Sequence, residues 1–405
     1  MDALYNDITR ISRQLLPQEE MLERAKQPKK IIIGIPKEAS ENEDRIPLIP
    51  ETITQLVELG HEILIEKDAG MPAHYSNEKY QLAGAKIVSS KQEVYEADLI
   101  IKVAPPTMEE LELIKPKKTI LSSLHWTNQP EAYFRKLMSK KITALAFETI
   151  MDEHASFPVI RSMGEIAGTT SIMIAAEYLS SKKYGRGSIL GGFSGIAPSE
   201  VIILGAGTVG EFATRAALGM GATVKVFDNS IFRLRRLQNS LNERIYTSTI
   251  QPQTLAAALK SADVVIGAIR PINGRSPLIV TEDIVQNMKY GTVIIDVSID
   301  HGGCIETSRL TKHSNPVYRI HDVTHYCVPN MASRVPHTAS RALSNIFGPI
   351  IISIGNFGGI DTMLRTDYGV RQGVYIYKGA LTDRNIGSSF SIPSQDIDLL
   401  LSAMI

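Results

Sequence analysis

Short apolar runs alternate with helical patterns along most of this sequence, and this alternation restricts the possible folds more than any other feature. A first series has apolar runs at residues 31–35, 61–67, 99–103, 119–122 and 142–147. A second series has runs at residues 201–204, 223–227, 264–269 and 293–297. Runs of this kind, separated by helices, are typical of parallel strands that are buried on both faces of a sheet.

Because the chain has 405 residues and a single hydrophobic core stops growing near roughly 250–300 residues, we predict two domains. The predicted fold class is α/β, with two doubly wound, Rossmann-like domains and a cleft between them. Helical patterns at residues 162–180 and 338–354 would connect the domains. Residues 1–29 have an amphipathic pattern that predicts a helical extension, whereas residues 358–405 have no pattern that predicts a structure.

The balance of charges and the small number of cysteines narrow the class of protein. Lys plus Arg and Asp plus Glu both total 43, so the formal net charge is zero, which gives no indication of a nucleic-acid partner. Cys304 and Cys327 have no metal-like spacing and do not indicate a disulfide framework. No apolar stretch reaches the roughly 20 residues that a membrane helix needs. These observations predict a cytoplasmic enzyme for a small molecule, with no metal site, membrane or nucleic-acid partner.

The most specific motif is the sequence GAGTVG at residues 205–210, directly after the apolar run at 201–204. In a dinucleotide-binding turn, Gly205 would allow the tight turn, Gly207 the approach of a pyrophosphate, and Gly210 close packing of helix on strand. The helix that follows would direct free N–H groups toward the phosphates. A glycine-rich turn can also be purely structural, but here the strand before it and the helix after it both favour dinucleotide binding.

An acidic residue at the end of the next strand favours the same interpretation. Asp228 follows the run at 223–227, close to the ~20-residue offset at which a carboxylate accepts hydrogen bonds from the adenosine ribose. This carboxylate would repel the extra phosphate of NADP, although Arg233 in the following helix would weaken the exclusion. The predicted cofactor is therefore NAD. The predicted domains are residues 158–337 for NAD binding, and residues 30–157 plus 338–405 for the substrate and catalysis.

Four polar residues follow predicted strands and are candidates for the chemistry: Arg45, Lys102, His125 and Asp300. Ligands of open α/β sheets bind in the crevice at the carboxyl ends of the strands, so these side chains are expected to meet there. Each residue also has a structural interpretation. Arg45 could form a surface ion pair, Lys102 could extend from a strand end, His125 could be an ordinary loop residue, and Asp300 could cap a turn.

Taken together, these features resemble the alanine dehydrogenases, which share a fold with the NAD-binding part of proton-translocating transhydrogenase. The resemblance covers residues 30–355, and its motifs lie at residues 35–38, 42–45, 100–103, 124–125, 148–149, 191–192, 205–210, 300–304, 321–322 and 326–331. The chain departs from the family pattern at Gly164, where serine is usual, and at Arg270, where an aliphatic residue is usual. Residues 333–336 are more similar to the transhydrogenase.

The resemblance implies a role for each candidate. Arg45 would bind the substrate carboxylate through its two-pronged guanidinium group, and Lys102 would add positive charge to the carboxylate or the carbonyl oxygen. His125 would be the general acid and base. Asp300 would orient the attacking water or ammonia and balance the developing positive charge.

The resemblance also implies contacts to the cofactor. In the family, the positions matching Thr208 and Val209 lie along the pyrophosphate. The family positions that lie along or beside the nicotinamide half of the cofactor correspond to Ile269, Val297, Ser298, Asn330 and Met331 of this chain.

The reaction implied is the reversible, NAD-dependent oxidative deamination of L-alanine to pyruvate and ammonium, a step of amino-acid catabolism. The family usually forms hexamers, so a homo-oligomer is expected. Two alternatives stay open. One is the NAD(H)-binding subunit of a proton-translocating transhydrogenase, and the other is a dehydrogenase of a larger amino acid such as saccharopine, in which Arg270 would contact a second carboxylate.

Overall fold

The computed structural model describes residues 29–241, 243–270 and 275–402. The strands are β1 (Ile32–Ile35), β2 (Glu62–Glu66), β3 (Lys86–Val88), β4 (Leu99–Ile101), β5 (Thr119–Ser122), β6 (Thr143–Ala146), β7 (Glu200–Leu204), β8 (Thr223–Phe227), β9 (Tyr246–Ser248), β10 (Val264–Gly267), β11 (Val293–Asp296), β12 (Val317–Ile320), β13 (Val323–Tyr326), β14 (Val374–Tyr377) and β15 (Ala380–Leu381). The predicted helical extension at residues 1–29 lies outside the described residues, apart from Lys29.

The helices are α1 (Pro50–Glu58), α2 (Asn77–Leu82), α3 (Lys91–Tyr95), α4 (Met108–Leu113), α5 (Glu131–Ser139), α6 (Pro158–Ser180), α7 (Thr208–Gly219), α8 (Ile231–Leu241), α9 (Pro252–Ser261), α10 (Glu282–Gln286), α11 (Pro336–Asn356), α12 (Ile360–Thr366), α13 (Tyr368–Arg371), α14 (Arg384–Phe390) and α15 (Ile397–Ser402). Short 3-10 turns follow several strands. His125 directly precedes the turn Trp126–Asn128, and the turns Val297–His301 and Met331–Arg334 contain residues of the candidate site.

Eight of the described strands form a first sheet, in the order β15-β14-β6-β5-β4-β1-β2-β3. Strands β1 to β6 pair in parallel, whereas β14 runs antiparallel to β6 and β15 antiparallel to β14. Every residue of β4, β5 and β6 is buried, which explains why these strands are continuous apolar runs rather than alternating patterns. Because β1 pairs in parallel with β4 and β4 with β5, the carboxyl ends of these three strands lie side by side at one edge of this sheet.

The second sheet has the order β12-β13-β11-β10-β7-β8-β9. All neighbours pair in parallel except β12, which runs antiparallel to β13. The strand order changes direction at β7, which lies between β10 and β8. Such a reversal opens a crevice at the carboxyl ends of the strands, and this is where ligands bind in folds of this kind.

Two long helices connect the sheets. Helix α6 leads from the first sheet to the second and packs along α7, and α11 leads back and contacts both α6 and α1. The close approach of α6 to α7 depends on Gly168, because a Cβ atom there would lie 2.4 Å from the carbonyl oxygen of Val209. Each sheet carries large clusters of buried apolar side chains, so each has a core of its own.

The two sheets confirm the predicted α/β class with two Rossmann-like domains. Residues 358–405, for which the sequence predicted no structure, supply β14, β15 and four short helices up to Ser402. Where the domains meet along α6 and α11 remains a prediction. Within the described ranges, no single helix has the length and apolar character to cross a membrane, and α11 with α12 meets that test only as a pair bent by 107°.

Candidate active site

The glycine-rich turn lies between β7 and α7, where the sequence predicted it. Gly205 has a φ of +109°, and a Cβ atom there would lie 2.3 Å from the carbonyl oxygen of Ala268. At Gly210 a Cβ atom would lie 1.9 Å from the carbonyl oxygen of Gly205, so both glycines are required by packing within the protein. A Cβ atom on Gly207 would meet nothing within 4 Å. The space before the first turn of α7 is therefore open to a phosphate group, which the free N–H groups of a helix terminus favour.

Asp228 lies beside this turn at the end of β8 and is 5% exposed. Its Oδ2 accepts a hydrogen bond from the backbone N–H of Ala206 at 2.8 Å, and its Oδ1 accepts one from the N–H of Ser230 at 2.7 Å. Each carboxylate oxygen has a further lone pair, so ribose hydroxyls can still be accommodated. Arg233 is near, with Nη1 3.7 Å from Oδ2. The acid and the glycine-rich turn thus form one site, and its residues fit the adenosine and pyrophosphate half of NAD.

Residues on the other side of the crevice are organised by Asp296, the last residue of β11. Its buried carboxylate accepts hydrogen bonds from the N–H groups of Ser298 and Cys304 and from the hydroxyl of Ser308. The hydroxyl of Ser298 in turn accepts a hydrogen bond from the N–H of Ile269 at 2.9 Å. Val297, Ser298 and Ile269 therefore lie together at the ends of β10 and β11, where the nicotinamide half was predicted to bind.

Asn330 joins the two halves of the crevice. It has the left-handed φ of +59°, and it precedes the 3-10 turn that begins at Met331. Its backbone N–H donates to Oδ1 of Asp300 at 2.7 Å, and its side-chain Nδ2 donates to Oε2 of Glu43 at 2.7 Å. A loop of the second sheet is thereby bonded directly to the loop after β1.

Arg45 lies in that loop and is held on two sides of its guanidinium group. Nε and Nη2 donate to the two carboxylate oxygens of Glu43 at 2.7 and 2.6 Å, and Nη1 approaches the sulfur of Met163 at 3.2 Å. Burial acts to lower the pKa of Arg45, but the charge and hydrogen bonds of Glu43, with the charges of Glu38 and Asp300, together outweigh it and raise the pKa. Of the five N–H groups of an arginine, one on Nη1 and one on Nη2 are left for a ligand.

Three serines fix the backbone around Arg45. The N–H groups of Asp44, Ile46 and Ile49 donate to hydroxyl oxygens at 2.8, 2.9 and 3.0 Å, respectively. The acceptors lie almost 300 residues further along the chain, in the turn before α11 and in α11 itself: Ser333, Ser340 and Ser344. Because these N–H groups lie outside any strand, a hydroxyl partner prevents them from being buried without a hydrogen bond.

Lys102 follows β4 and is 1% exposed. Its Nζ lies 3.2 Å from Oε2 of Glu38 and 3.1 Å from Oε2 of Glu110. Burial acts to lower the pKa of Lys102, but the two carboxylates outweigh it and raise the pKa. For Glu38 burial is the stronger effect, and it raises the pKa to about 7 despite the charge of Lys102. The ammonium group is thus part of a buried cluster, and its contact with substrate remains a prediction.

His125 follows β5 in a strained backbone conformation, with φ 45° and ψ 51°. Oε1 of Glu148 accepts hydrogen bonds from the N–H groups of Leu124 and His125, at 2.7 and 3.1 Å, and stabilises this conformation. The side chain of His125 is exposed. A histidine at the rim of a crevice, held by its backbone and accessible to solvent, can exchange protons with a bound ligand.

Asp300 lies close enough to two of the other three candidates, His125 and Arg45, to feel their charges. The side chain of Asp300 is accessible to solvent, but protein surrounds it on most sides. Asp300 therefore lies inside a cleft. Burial raises the pKa of Asp300, while the hydrogen bond from Asn330 and the charges of His301, His125 and Arg45 act to lower it. Asp300, His125 and Arg45 are therefore close enough to influence one another, as the sequence predicted. The roles that the resemblance implied for them remain predictions.

The sequence assigned no role to the acidic residues that hold these candidates in place. Glu38, Glu43 and Glu148 lie in motifs that carry the resemblance, whereas Glu110 lies in none of them. A signal was present for Glu148, which lies two residues after the buried strand β6, much as His125 lies three residues after β5. For Glu110 the signal was a capping box, since Thr107 and Glu110 exchange hydrogen bonds at the start of α4. Its second function, pairing with Lys102, depends on tertiary contacts and has no local signal.

The two departures from the family pattern lie at the edge of the cofactor crevice. A Cβ atom on Gly164 would lie 3.4 Å from Cγ2 of Thr208, an ordinary contact distance, so nothing in the packing requires glycine there. Val209 is the other neighbour, at 3.6 Å. Arg270 is exposed just beyond β10, and the four residues after it lie outside the described ranges.

Comparison with known proteins agrees with this geometry. The family profile "Alanine dehydrogenase/PNT, N-terminal domain" matches residues 34–167, and "Alanine dehydrogenase/PNT, C-terminal domain" matches residues 171–384. An alanine dehydrogenase of Staphylococcus saprophyticus is 36% identical over 92% of this chain and 100% of its own length.

Two solved structures were also compared. An L-alanine dehydrogenase has 34% identity and a TM-score of 0.82, and the match covers 89% of this chain and 99% of that one. A transhydrogenase from Sinorhizobium meliloti has 22% identity and a TM-score of 0.74 over 86% of this chain and 98% of its own, a likeness of fold. With both profiles matched and a relative aligned along nearly its whole length, the chain belongs to the alanine dehydrogenase/PNT family.

Proposed function

We propose that this protein is an NAD-dependent alanine dehydrogenase, which converts L-alanine, NAD and water to pyruvate, ammonium, NADH and a proton, and also catalyses the reverse reaction. The observation that carries the proposal is the hydrogen-bonded path from Asp300 through Asn330 and Glu43 to Arg45. This path supports the proposal because it links an acid to a cation whose guanidinium group suits a carboxylate. The alanine dehydrogenases to which the chain is similar support the choice of substrate.

NAD fits the residues present and, when bound, supplies the acceptor for the hydride from the substrate Cα. The open space at Gly207 and the acceptor oxygens of Asp228 would hold its pyrophosphate and adenosine ribose, with Thr208 and Val209 along the pyrophosphate. The nicotinamide half would lie along Val297, Ser298, Ile269, Asn330 and Met331. Alignment of cofactor and substrate is the contribution that these residues make to the rate.

Arg45 binds the carboxylate of alanine or pyruvate in this proposal. Glu43 occupies Nε and one side of Nη2, so the remaining fork, one N–H each from Nη1 and Nη2, is directed at the ligand. A carboxylate accepts two such hydrogen bonds in a fixed plane. Binding the carboxylate at both oxygens orients the Cα atom relative to the cofactor site.

His125 and Asp300 carry the proton transfers and the electrostatics. An imidazole nitrogen of His125 accepts a proton from the attacking water as the imine of pyruvate is hydrolysed, and returns it in the reverse direction. The carboxylate of Asp300 orients that water or ammonia and stabilises the positive charge that develops on the nitrogen. Lys102, buried between two carboxylates, contributes positive charge toward the carbonyl oxygen.

The direct experiment is a spectrophotometric assay of NADH oxidation. Activity should require pyruvate and ammonium together, and His125→Ala should abolish it while NADH binding, measured by fluorescence, stays unchanged. Lys102→Ala should raise the KM for pyruvate. A purified protein that binds NADH but converts no oxo acid would contradict the proposal and favour a transhydrogenase-type subunit. Activity with a larger substrate such as saccharopine, lost in Arg270→Ala, would contradict the assignment to alanine.

We further propose that the protein works as a homo-oligomer in the cytoplasm. Several large apolar side chains on the described surface support association, among them Phe193 at 60% and Ile196 at 65% exposure. Cys304 and Cys327 are buried and unpaired, which supports a reducing compartment. Light scattering of the purified protein tests the assembly, for which a hexamer is expected, and a monomer would contradict it.

A further inference from the structure

A pocket with a volume of about 600 Å³ opens at the edge of the first sheet that faces away from the candidate active site. Its walls include the starts of β1, β4, β5 and β6, with Ile31, Leu99, Thr119 and Thr143. The candidate catalytic residues follow the opposite, carboxyl ends of β1, β4 and β5. The pocket is therefore separate from the site of the proposed reaction.

The pocket is lined by more positive than negative charge. Five lysines and two aspartates contribute to its wall: Lys29, Lys117, Lys118, Lys141, Lys378, Asp98 and Asp361. Both aspartates are already paired, Asp98 with Lys118 at 2.9 Å and Asp361 with Lys378 at 2.7 Å. Among the described residues, no acid lies within ion-pair distance of Lys117 or Lys141. An excess of three positive charges is thus concentrated in one cavity.

Three of these lysines occupy backbone positions at which lysine is unfavourable. Lys117, Lys141 and Lys378 have φ values of 64°, 55° and 48°, in the left-handed region that glycine and asparagine adopt at lower cost. Lys141 follows α5 at the place where glycine commonly ends a helix. Turn geometry accounts for the backbone but not for the choice of lysine. Residues other than glycine in such backbone conformations cluster at ligand sites more often than elsewhere.

We propose that this pocket binds a small phosphorylated molecule. The positive charge of the described lining comes from lysines alone, and lysine binds phosphate as a point charge. An excess of three positive charges suits a multiply charged phosphate group better than a singly charged carboxylate. The volume falls within the roughly 300–1,000 Å³ that small-molecule sites occupy, so it accommodates more than a bare phosphate. The ligand is a compact metabolite whose phosphate groups lie between Lys117 and Lys141.

Calorimetric titration of the full-length protein with inorganic pyrophosphate tests the proposal. Saturating NADH is present, so that the glycine-rich turn of the cofactor site is occupied and does not bind the probe. We expect one pyrophosphate per chain, with an affinity that falls as the salt concentration rises.

The decisive variant is Lys117→Asn with Lys141→Asn, because asparagine tolerates the left-handed backbone while removing both charges. An ion pair at an exposed position contributes up to about fivefold to an affinity, so the loss of two should weaken binding severalfold, up to about 25-fold. Lys115→Asn is the matched control. Lys115 is exposed, pairs with Glu96, lies two residues from Lys117 and does not line the pocket, so this variant should bind as the wild type does.

Three results would overturn the proposal: no binding to the wild type in the presence of NADH, equal binding by the double variant, or equal weakening in the Lys115→Asn control. The alanine assay is independent of these titrations, so failure here leaves the proposed reaction intact, and failure of the reaction leaves the pocket intact.

Discussion

Replacing Glu38 by glutamine tests the electrostatics of the buried cluster beside the candidate active site. The side chain of Glu38 is 5% exposed, and its Oε2 lies 3.2 Å from Nζ of Lys102. Burial nevertheless raises the pKa of Glu38 to about 7. Below that pH the carboxyl group is protonated, and glutamine has nearly the same shape and the same absence of charge. The variant therefore reproduces the folded wild type at acidic pH.

The effect on stability has a definite sign. In the unfolded chain the group ionises near its ordinary pKa of 4.5. A group whose pKa is higher in the folded state contributes stability that is present below the unfolded pKa and is lost as the pH rises through the folded pKa. One pKa unit corresponds to about 1.4 kcal/mol, so wild-type Glu38 should lose up to about 3 kcal/mol of stability between roughly pH 4.5 and pH 7. Glu38→Gln has no such loss.

Urea unfolding at about pH 5 and pH 8 measures this difference, with the fluorescence of Trp126 as the signal from the first domain. Relative to wild type, Glu38→Gln should gain about 2–3 kcal/mol in free energy of unfolding over this interval. The other groups titrate alike in the variant and the wild type, so their contributions cancel when the two proteins are compared.

Glu110→Gln is the control with the opposite sign. Burial acts to raise the pKa of Glu110, but the charge of Lys102 and the hydrogen bonds from Thr107, Lys91 and Lys102 together outweigh it and lower the pKa. The ionised group therefore contributes stability that is present above pH 4.5 and is lost as the pH falls through its folded pKa, so this variant should be destabilised at pH 8. A Glu38→Gln variant that is also less stable than wild type at pH 8 would refute the reasoning, because it would mean that ionised Glu38 stabilises the fold.

Three further substitutions test how the crevice is assembled. Asp228→Asn removes the negative charge that would repel the 2′-phosphate of NADPH near Arg233. The ratio of kcat/KM for NADPH to kcat/KM for NADH should therefore rise about ten- to a hundredfold. An unchanged ratio would exclude Asp228 from cofactor selection. Asn330→Ala loses its hydrogen bond to the Glu43 carboxylate, so kcat/KM for pyruvate should fall by roughly one to two orders of magnitude, and wild-type kinetics would contradict the link. Glu148→Ala should lower kcat without changing the KM for NADH. Glu148→Gln, whose side-chain oxygen still accepts hydrogen bonds from the backbone, should keep much of the wild-type kcat. An equal loss of kcat in the two variants would argue against a positioning role for Glu148.

The sequence predicted most of the fold and the placement of the candidates because both depend on local patterns. Apolar runs such as residues 201–204 become buried strands, and residues that follow such runs lie at the carboxyl edge of a sheet. The requirement for glycine at 205 and 210 is likewise local, since the contacts that exclude a side chain come from the same turn and the adjacent strand.

Partners that are distant in the chain could not be predicted in this way. Ser340 and Ser344 appear as ordinary polar residues of an amphipathic helix, yet they accept hydrogen bonds from the backbone near Arg45. The strands after residue 358 were missed because β15 has two residues and both strands pair antiparallel at the sheet edge. β14 is stabilised by pairing with β6, and β15 by pairing with β14, and the local pattern does not contain these contacts.

The link through Asn330 has a consequence for the proposed reaction. Hydride transfer requires the nicotinamide, held by the second sheet, and the substrate carboxylate, held by Arg45 on the first, to keep a fixed separation. Asn330 bonds to Asp300 with its backbone and to Glu43 with its side chain, and Glu43 in turn orients the guanidinium group. Asn330 therefore positions Asp300 and, through Glu43, the guanidinium fork of Arg45 together. A relative movement of the domains that opens the cleft must first break the hydrogen bond from Nδ2 of Asn330 to Glu43.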